Sequence, residues 1–189
     1  MTRFRKGDHG DPATVRYEAA GLRWLAGATD GAAVVEVLAE GPGWLETGRV
    51  VEGRPDAAAA EAFGRALART HAAGAPHFGA PPAGWSGHGF MGRAPLPLRA
   101  GPPTGHDSWG RFYAEARILP YLGGAVTNGS IDAAGARMVE RCAARVADGG
   151  LDVPQPHLVV GPVARIHGDL WGGNVLWARS GGDGDRGED

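Results

Sequence analysis

The stretch His167-Gly168-Asp169-Leu170-Trp171-Gly172-Gly173-Asn174 sets a carboxylate and a carboxamide five positions apart in a glycine-rich turn. An ionised carboxylate only accepts hydrogen bonds, so Asp169 beside a substrate hydroxyl is suited to receive its proton. A carboxamide offers a neutral oxygen, which suits a hard divalent cation that also carries phosphate groups. Gly172 and Gly173 admit the backbone angles that bring both side chains to one rim. The flanking segments, Ala164-Arg165-Ile166 and Asn174-Val175-Leu176-Trp177, read as extended pieces that hold the turn. Together these residues describe proton removal from an alcohol next to a metal-bound phosphate.

The same Asp-to-Asn spacing occurs in the catalytic loop of kinases, where the Asp accepts a hydroxyl proton and the Asn holds magnesium. Protein kinases carry Arg where this chain has Gly168, and that Arg can pair with a phosphorylated activation loop. Glycine cannot, so the expected acceptor is a small molecule. Such a site also needs a cation on the nucleotide phosphates and a carboxylate to aim it. Lys6 ends a strand-like segment and Glu18 lies in the helix after it, which is the order of that pair in kinases. A zinc reading from His157, His167 and Asp169 has no further firm ligand at a recognisable spacing.

These groups must be positioned by the elements around them. Thr2–Lys6 reads as the end of a strand, followed by a helix with Asp11 as N-cap and Pro12 at its first position. That helix places Val15, Ala19, Leu22 and Leu25 or Ala26 on one face. Two extended pieces, 32–41 and 43–53, are separated by the turn Gly41-Pro42-Gly43. A second helix starts from an Asp56 cap and stops at Gly74. Residues 75–105 are rich in Gly and Pro and read as a long loop carrying Trp85, Phe90 and Met91. A third helix starts from Asp107, with Pro120 bending or ending it. A fourth is capped by Ser130 or Asp132 and carries Cys142 as a buried small apolar residue. The fold class expected is α+β and two-lobed: a small strand-plus-helix lobe with its connecting segment (1–53), a mainly helical lobe with the catalytic loop (54–177), and a flexible polar tail (178–189).

Composition excludes several classes. Lys plus Arg (19) and Asp plus Glu (21) nearly balance over 189 residues, which leaves no electrostatic footprint for nucleic acid. No apolar run approaches the ~18 residues of a membrane span, and the N-terminus has no signal-peptide core. A single cysteine excludes an internal disulfide framework and fits a reducing cytoplasm.

On "FRKG" with "YEAAGLRWLA", "EAFGRALARTHAAGAPHFG", "FYAEARILPYL" and above all "ARIHGDLWGGNVLW", the chain resembles the fructosamine kinase (ketosamine-3-kinase) family. These are relatives of the aminoglycoside phosphotransferases with a protein-kinase-like fold, and the motifs span Phe4 to Trp177. The resemblance implies ATP- and Mg2+-dependent phosphorylation of a sugar hydroxyl in a ketosamine, a role in repairing glycated amines. Asp169 would be the base, Asn174 a metal ligand, and Lys6 the phosphate contact positioned by Glu18. Adenine would be read by backbone groups at Thr47, Gly48, Arg49 and Val50, while His167 and Trp171 would face the substrate. The family's phosphate-covering strands should precede Lys6, and its second metal carboxylate should follow "NVLW" by one short hairpin. Neither is found, and Asp183 and Asp185 do not replace the carboxylate. The expectation is therefore a chain incomplete at both ends and weakly active or inactive. An aminoglycoside- or choline-type phosphotransferase and a non-catalytic degenerate kinase remain the alternative readings.

Overall fold

The computed structural model describes residues 2–7, 10–102 and 108–179. Strand β1 (Arg3–Gly7) is followed by α1 (Pro12–Ala26) and by the hairpin β2 (Val37–Gly41) and β3 (Trp44–Gly48). The sheet order is β1-β3-β2 with both pairings antiparallel, so β3 is central. Trp44–Gly48, expected to begin the connecting segment, is thus a sheet strand, because its residues alternate between two faces and find a partner strand on each side.

Helix α1 forms where its signals put it. The Asp11 carboxylate accepts the Ala13 N–H at 2.8 Å, and Pro12 occupies the first turn, where no N–H is needed. Its inner face buries Val15 and Ala19 against Leu45 of β3, with Leu22 and Val37 packed at the margin. This small cluster fixes α1 on one face of the sheet. Helix α2 (Ala57–Ala72) starts on Asp56, whose carboxylate accepts the Ala59 N–H at 2.7 Å. It is followed by Gly74 at φ +71°, where a Cβ would lie 1.8 Å from the Val160 carbonyl oxygen.

The chain divides into two compact units, residues 1–70 with 166–189, and residues 71–165. In the second unit the region expected to be an irregular loop contains a short hairpin, β4 (Gly89–Met91) and β5 (Ala94–Leu96). Three-residue strands bounded by Gly and Pro carry too little periodicity to be seen locally. The helix N-cap is Ser108, which accepts the Arg111 N–H at 3.1 Å, while Asp107, the expected cap, lies outside the described residues.

That helix runs on through Pro120 in three pieces: α3 (Trp109–Tyr113), a π-helical turn (Ala114–Ile118) and α4 (Leu119–Thr127). Pro120 sits in the first turn of α4, so it neither ends the run nor leaves an orphan. The Ala116 carbonyl, four residues upstream, accepts instead from the Arg117 guanidinium at 2.9 Å. Helix α5 (Ala133–Ala147) is capped by Asp132, which accepts the Gly135 N–H at 2.7 Å. It buries Ala143, and Cys142 is exposed rather than buried because it lies beside the packed face, not on it. Gly110 lets α3 approach α5, since a Cβ there would lie 2.0 Å from the Val146 carbonyl oxygen. Among the described residues no helix is long and apolar enough to cross a membrane.

Candidate functional site

Two arrangements in the first unit could carry chemistry. The first is on the sheet. Lys6 on β1 donates from Nζ to Glu18 Oε2 on α1 at 2.7 Å. The register Lys6↔Leu45 puts Lys6 on the face that α1 covers, and the helical rise from the Asp11 cap brings Glu18 opposite it. Both side chains are somewhat over a third exposed, 37% and 39%. The ammonium therefore keeps access to a second anion.

The second is the turn at residues 167–174. Gly168 takes φ +86°, a conformation open to glycine and strained for the arginine of protein kinases. The Asp169 N–H donates to His167 Nδ1 at 3.3 Å, which makes Nδ1 the acceptor nitrogen. Gly172–Asn174 form a single 3₁₀ turn closed by the Asn174 N–H on the Trp171 carbonyl at 2.8 Å. That turn returns Asn174 to Asp169. Its Nδ2 donates to the Asp169 carbonyl oxygen at 2.7 Å and to Asp169 Oδ2 at 3.1 Å. With Nδ2 committed to donation, Oδ1 of Asn174 is its acceptor atom toward a cation. A Cβ on Gly173 would lie 2.5 Å from the Trp171 ring, so this glycine lets the indole lie over the turn. Trp171 is 65% exposed.

The flanking segments differ from expectation. Val175–Trp177 is not a strand: the bridge of this segment falls one residue beyond it, at Ala178. Gly53 N–H donates to the Trp177 carbonyl at 2.6 Å, Arg179 N–H to the Val51 carbonyl at 2.9 Å, and Glu52 bridges Ala178. Trp177 is held edge-on to Phe63, with ring centroids 5.8 Å apart. On the other side the Ala164-Arg165-Ile166 segment is also irregular. Arg165 Nε donates to the Gly74 carbonyl at 3.1 Å, and burial draws its guanidinium below the ordinary value.

The residues expected to read adenine occupy the end of β3 and the segment after it. Thr47 is buried, Gly48 N–H donates to the Glu36 carbonyl at 2.9 Å, and Arg49 N–H donates to the Thr2 carbonyl at 3.0 Å. An open depression beside them is lined by Thr2, Arg49, Val50, Val51 and Glu52. Among the described residues no three His, Cys, Asp or Glu side chains gather into a metal cage. The donor set at the turn, one carboxylate and one carboxamide oxygen, fits a magnesium ion that takes its other ligands from phosphates and water. The Asn174 contact to the main-chain oxygen of Asp169 had no sequence signal beyond the spacing itself.

The chain matches the family model for fructosamine kinase over residues 13–183. Among solved structures it is similar to the crystal structure of a candidate fructosamine-3-kinase from Thermobifida fusca YX-ER1. The two share 37% identity with a TM-score of 0.74, over 93% of this chain and 56% of that one. The chain thus spans little more than half the length of that relative. No curated protein gives a significant match.

Proposed function

The chain belongs to the fructosamine kinase family, and from that premise we propose that it transfers the terminal phosphoryl group of ATP to a sugar hydroxyl of a ketosamine. The observation that carries this reading is the double hydrogen bond from Asn174 Nδ2 to the main-chain oxygen and Oδ2 of Asp169, at 2.7 and 3.1 Å. It holds the carboxylate at a fixed angle and presents the amide oxygen beside it. In the proposed reaction Asp169 accepts the proton of the sugar hydroxyl. The hydroxyl oxygen bonds to the terminal phosphorus, the bond to the bridging oxygen breaks, and ADP leaves with that electron pair. Lys6, aimed by Glu18, binds the phosphates that stay behind. A magnesium ion held by Asn174 would supply charge neutralisation on the phosphates. Trp171 offers an apolar face to the CH side of the sugar, and His167 keeps the turn in shape through Nδ1.

Turnover is expected to be slow: Asp169 serves as the proton acceptor, which leaves Asn174 as the metal-holding side chain among the described residues, where kinase sites use two. The test is phosphate transfer from radiolabelled ATP to a fructosamine by the purified chain, beside a thermal-shift titration with Mg-ATP. Slow transfer, lost in Asp169→Asn while the nucleotide still raises the melting temperature of that variant, is the expected result. A chain that neither transfers phosphate nor gains stability from Mg-ATP would falsify the proposal.

A further inference from the structure

The sequence contains two asparagines, Asn128 and Asn174. Asn174 belongs to the turn already described. Asn128, exposed as Asn174 also is, lies at the C-cap of α4 and is followed by Gly129 and Ser130. Gly129 has no side chain to hinder its main-chain nitrogen, whereas Asn174 is followed by the β-branched Val175.

Two contacts fall on the same atom of Asn128. The Ser130 N–H, shared with the Ala125 carbonyl at 2.9 Å, donates to Asn128 Oδ1 at 3.0 Å, and the Ser130 hydroxyl donates to the same oxygen at 2.6 Å. Oδ1 is the atom that gains negative charge if a nucleophile adds to the side-chain carbon. Donors aimed at that oxygen act as an oxyanion site does. We propose that Asn128 is a self-modifying residue that deamidates through attack by the Gly129 main-chain nitrogen, with Ser130 stabilising the charge on Oδ1.

Gly129 N loses its proton and bonds to Cγ of Asn128, Cγ–Nδ2 breaks, and ammonia departs, leaving a five-membered imide. Water then adds to either imide carbonyl and opens the ring to aspartate or isoaspartate. No other reactant is needed.

Two features of the folded chain hold the reaction in check. Asn128 has ψ 2°, which turns the Gly129 nitrogen away from the side-chain carbon, and Gly129 N–H is engaged by the Val126 carbonyl at 3.1 Å. Opening the last turn of α4 releases both. That turn is cheap to open, since Gly123 and Gly124 lie in it and α4 buries no residue. The Ser130 donors are only two positions away from Asn128, so they travel with the opened segment. The product adds a negative charge at the end of a helix where the dipole is already negative, which disfavours closing again.

The experiment incubates the full chain at mildly alkaline pH and maps its peptides by mass spectrometry over time, with isoaspartate assayed in parallel. Conversion at residue 128 well ahead of residue 174 is expected. In Ser130→Ala the rate at 128 should fall by about threefold or more, below the ~10²–10³ that a buried oxyanion donor is worth because this site is open to water. Asn128→Gln, whose longer side chain would need a larger ring, should show no conversion at this position. Equal or slower conversion at 128 than at 174, or an unchanged or faster rate in Ser130→Ala, overturns the proposal.

Discussion

Asp169 and Asn174 gain their geometry from one local device, a 3₁₀ turn of two glycines and the asparagine itself. The amide spends both of its Nδ2 contacts on Asp169, so it orients the carboxylate as well as offering an oxygen. Asn174→Leu keeps the branching at Cγ and removes both the donor and the oxygen. Phosphate transfer by that variant should fall by about 10²-fold or more, the scale of losing a preorganised polar group. The fall should lie in kcat rather than in the KM for the ketosamine, because in the proposed reaction Asn174 would meet the proton acceptor and the phosphates, not the sugar. A loss confined to KM would show that the residue binds the acceptor instead. The Lys6–Glu18 pair is different in kind. At this exposure an ion pair adds at most ~1 kcal/mol to stability, so its value lies in where it holds the ammonium.

The sheet and α1 carry that ammonium, and they meet on very few side chains. Among the described residues Leu45 and Val15 are the largest fully buried ones, in one cluster with Ala19. Leu45→Ala should destabilise the first unit by ~2–5 kcal/mol, the usual range for such a truncation in a packed core. Urea unfolding followed by tryptophan fluorescence checks it. A change well under ~1 kcal/mol would mean that the helix is held to the sheet by something other than this cluster. The elements legible in the sequence are those whose signals are local. Asp11, Asp56 and Asp132 cap as their spacing indicates, and the Asp169-to-Asn174 interval was visible because one turn closes it. What was not legible depends on distant partners. Val175–Trp177 is strand-like in composition but is not a strand, the nearest bridge falling beyond it at Ala178. Arg117 replaces the hydrogen bond that Pro120 cannot make, and no local rule announces that. Cys142 was misplaced because one step around α5 separates it from the buried Ala143.

At the scale of the whole molecule, the first unit is built from both ends of the chain, residues 1–70 and 166–189, so that the Lys6–Glu18 pair and the Asp169 turn belong to one compact body. The second unit opens with His71, whose main-chain oxygen accepts from Gly74 N–H at 3.2 Å and Arg165 N–H at 3.1 Å. Burial of its ring lowers the imidazole pKa from the ordinary 6.5. Above 6.5 the ring is neutral whether the chain is folded or unfolded, and it makes no pH-dependent contribution. As the pH falls below 6.5 the unfolded chain takes up a proton that the folded chain resists, and stability drops until the folded ring is protonated too. Replacing His71 by Gln removes this uptake. Urea unfolding of both proteins between roughly pH 5 and 8 should show the wild-type chain losing more stability on acidification than His71→Gln, with the two curves running parallel above 6.5. Parallel curves over the entire range would mean that the His71 ring titrates alike in both states, and the acid sensitivity of the fold would have to reside in other groups.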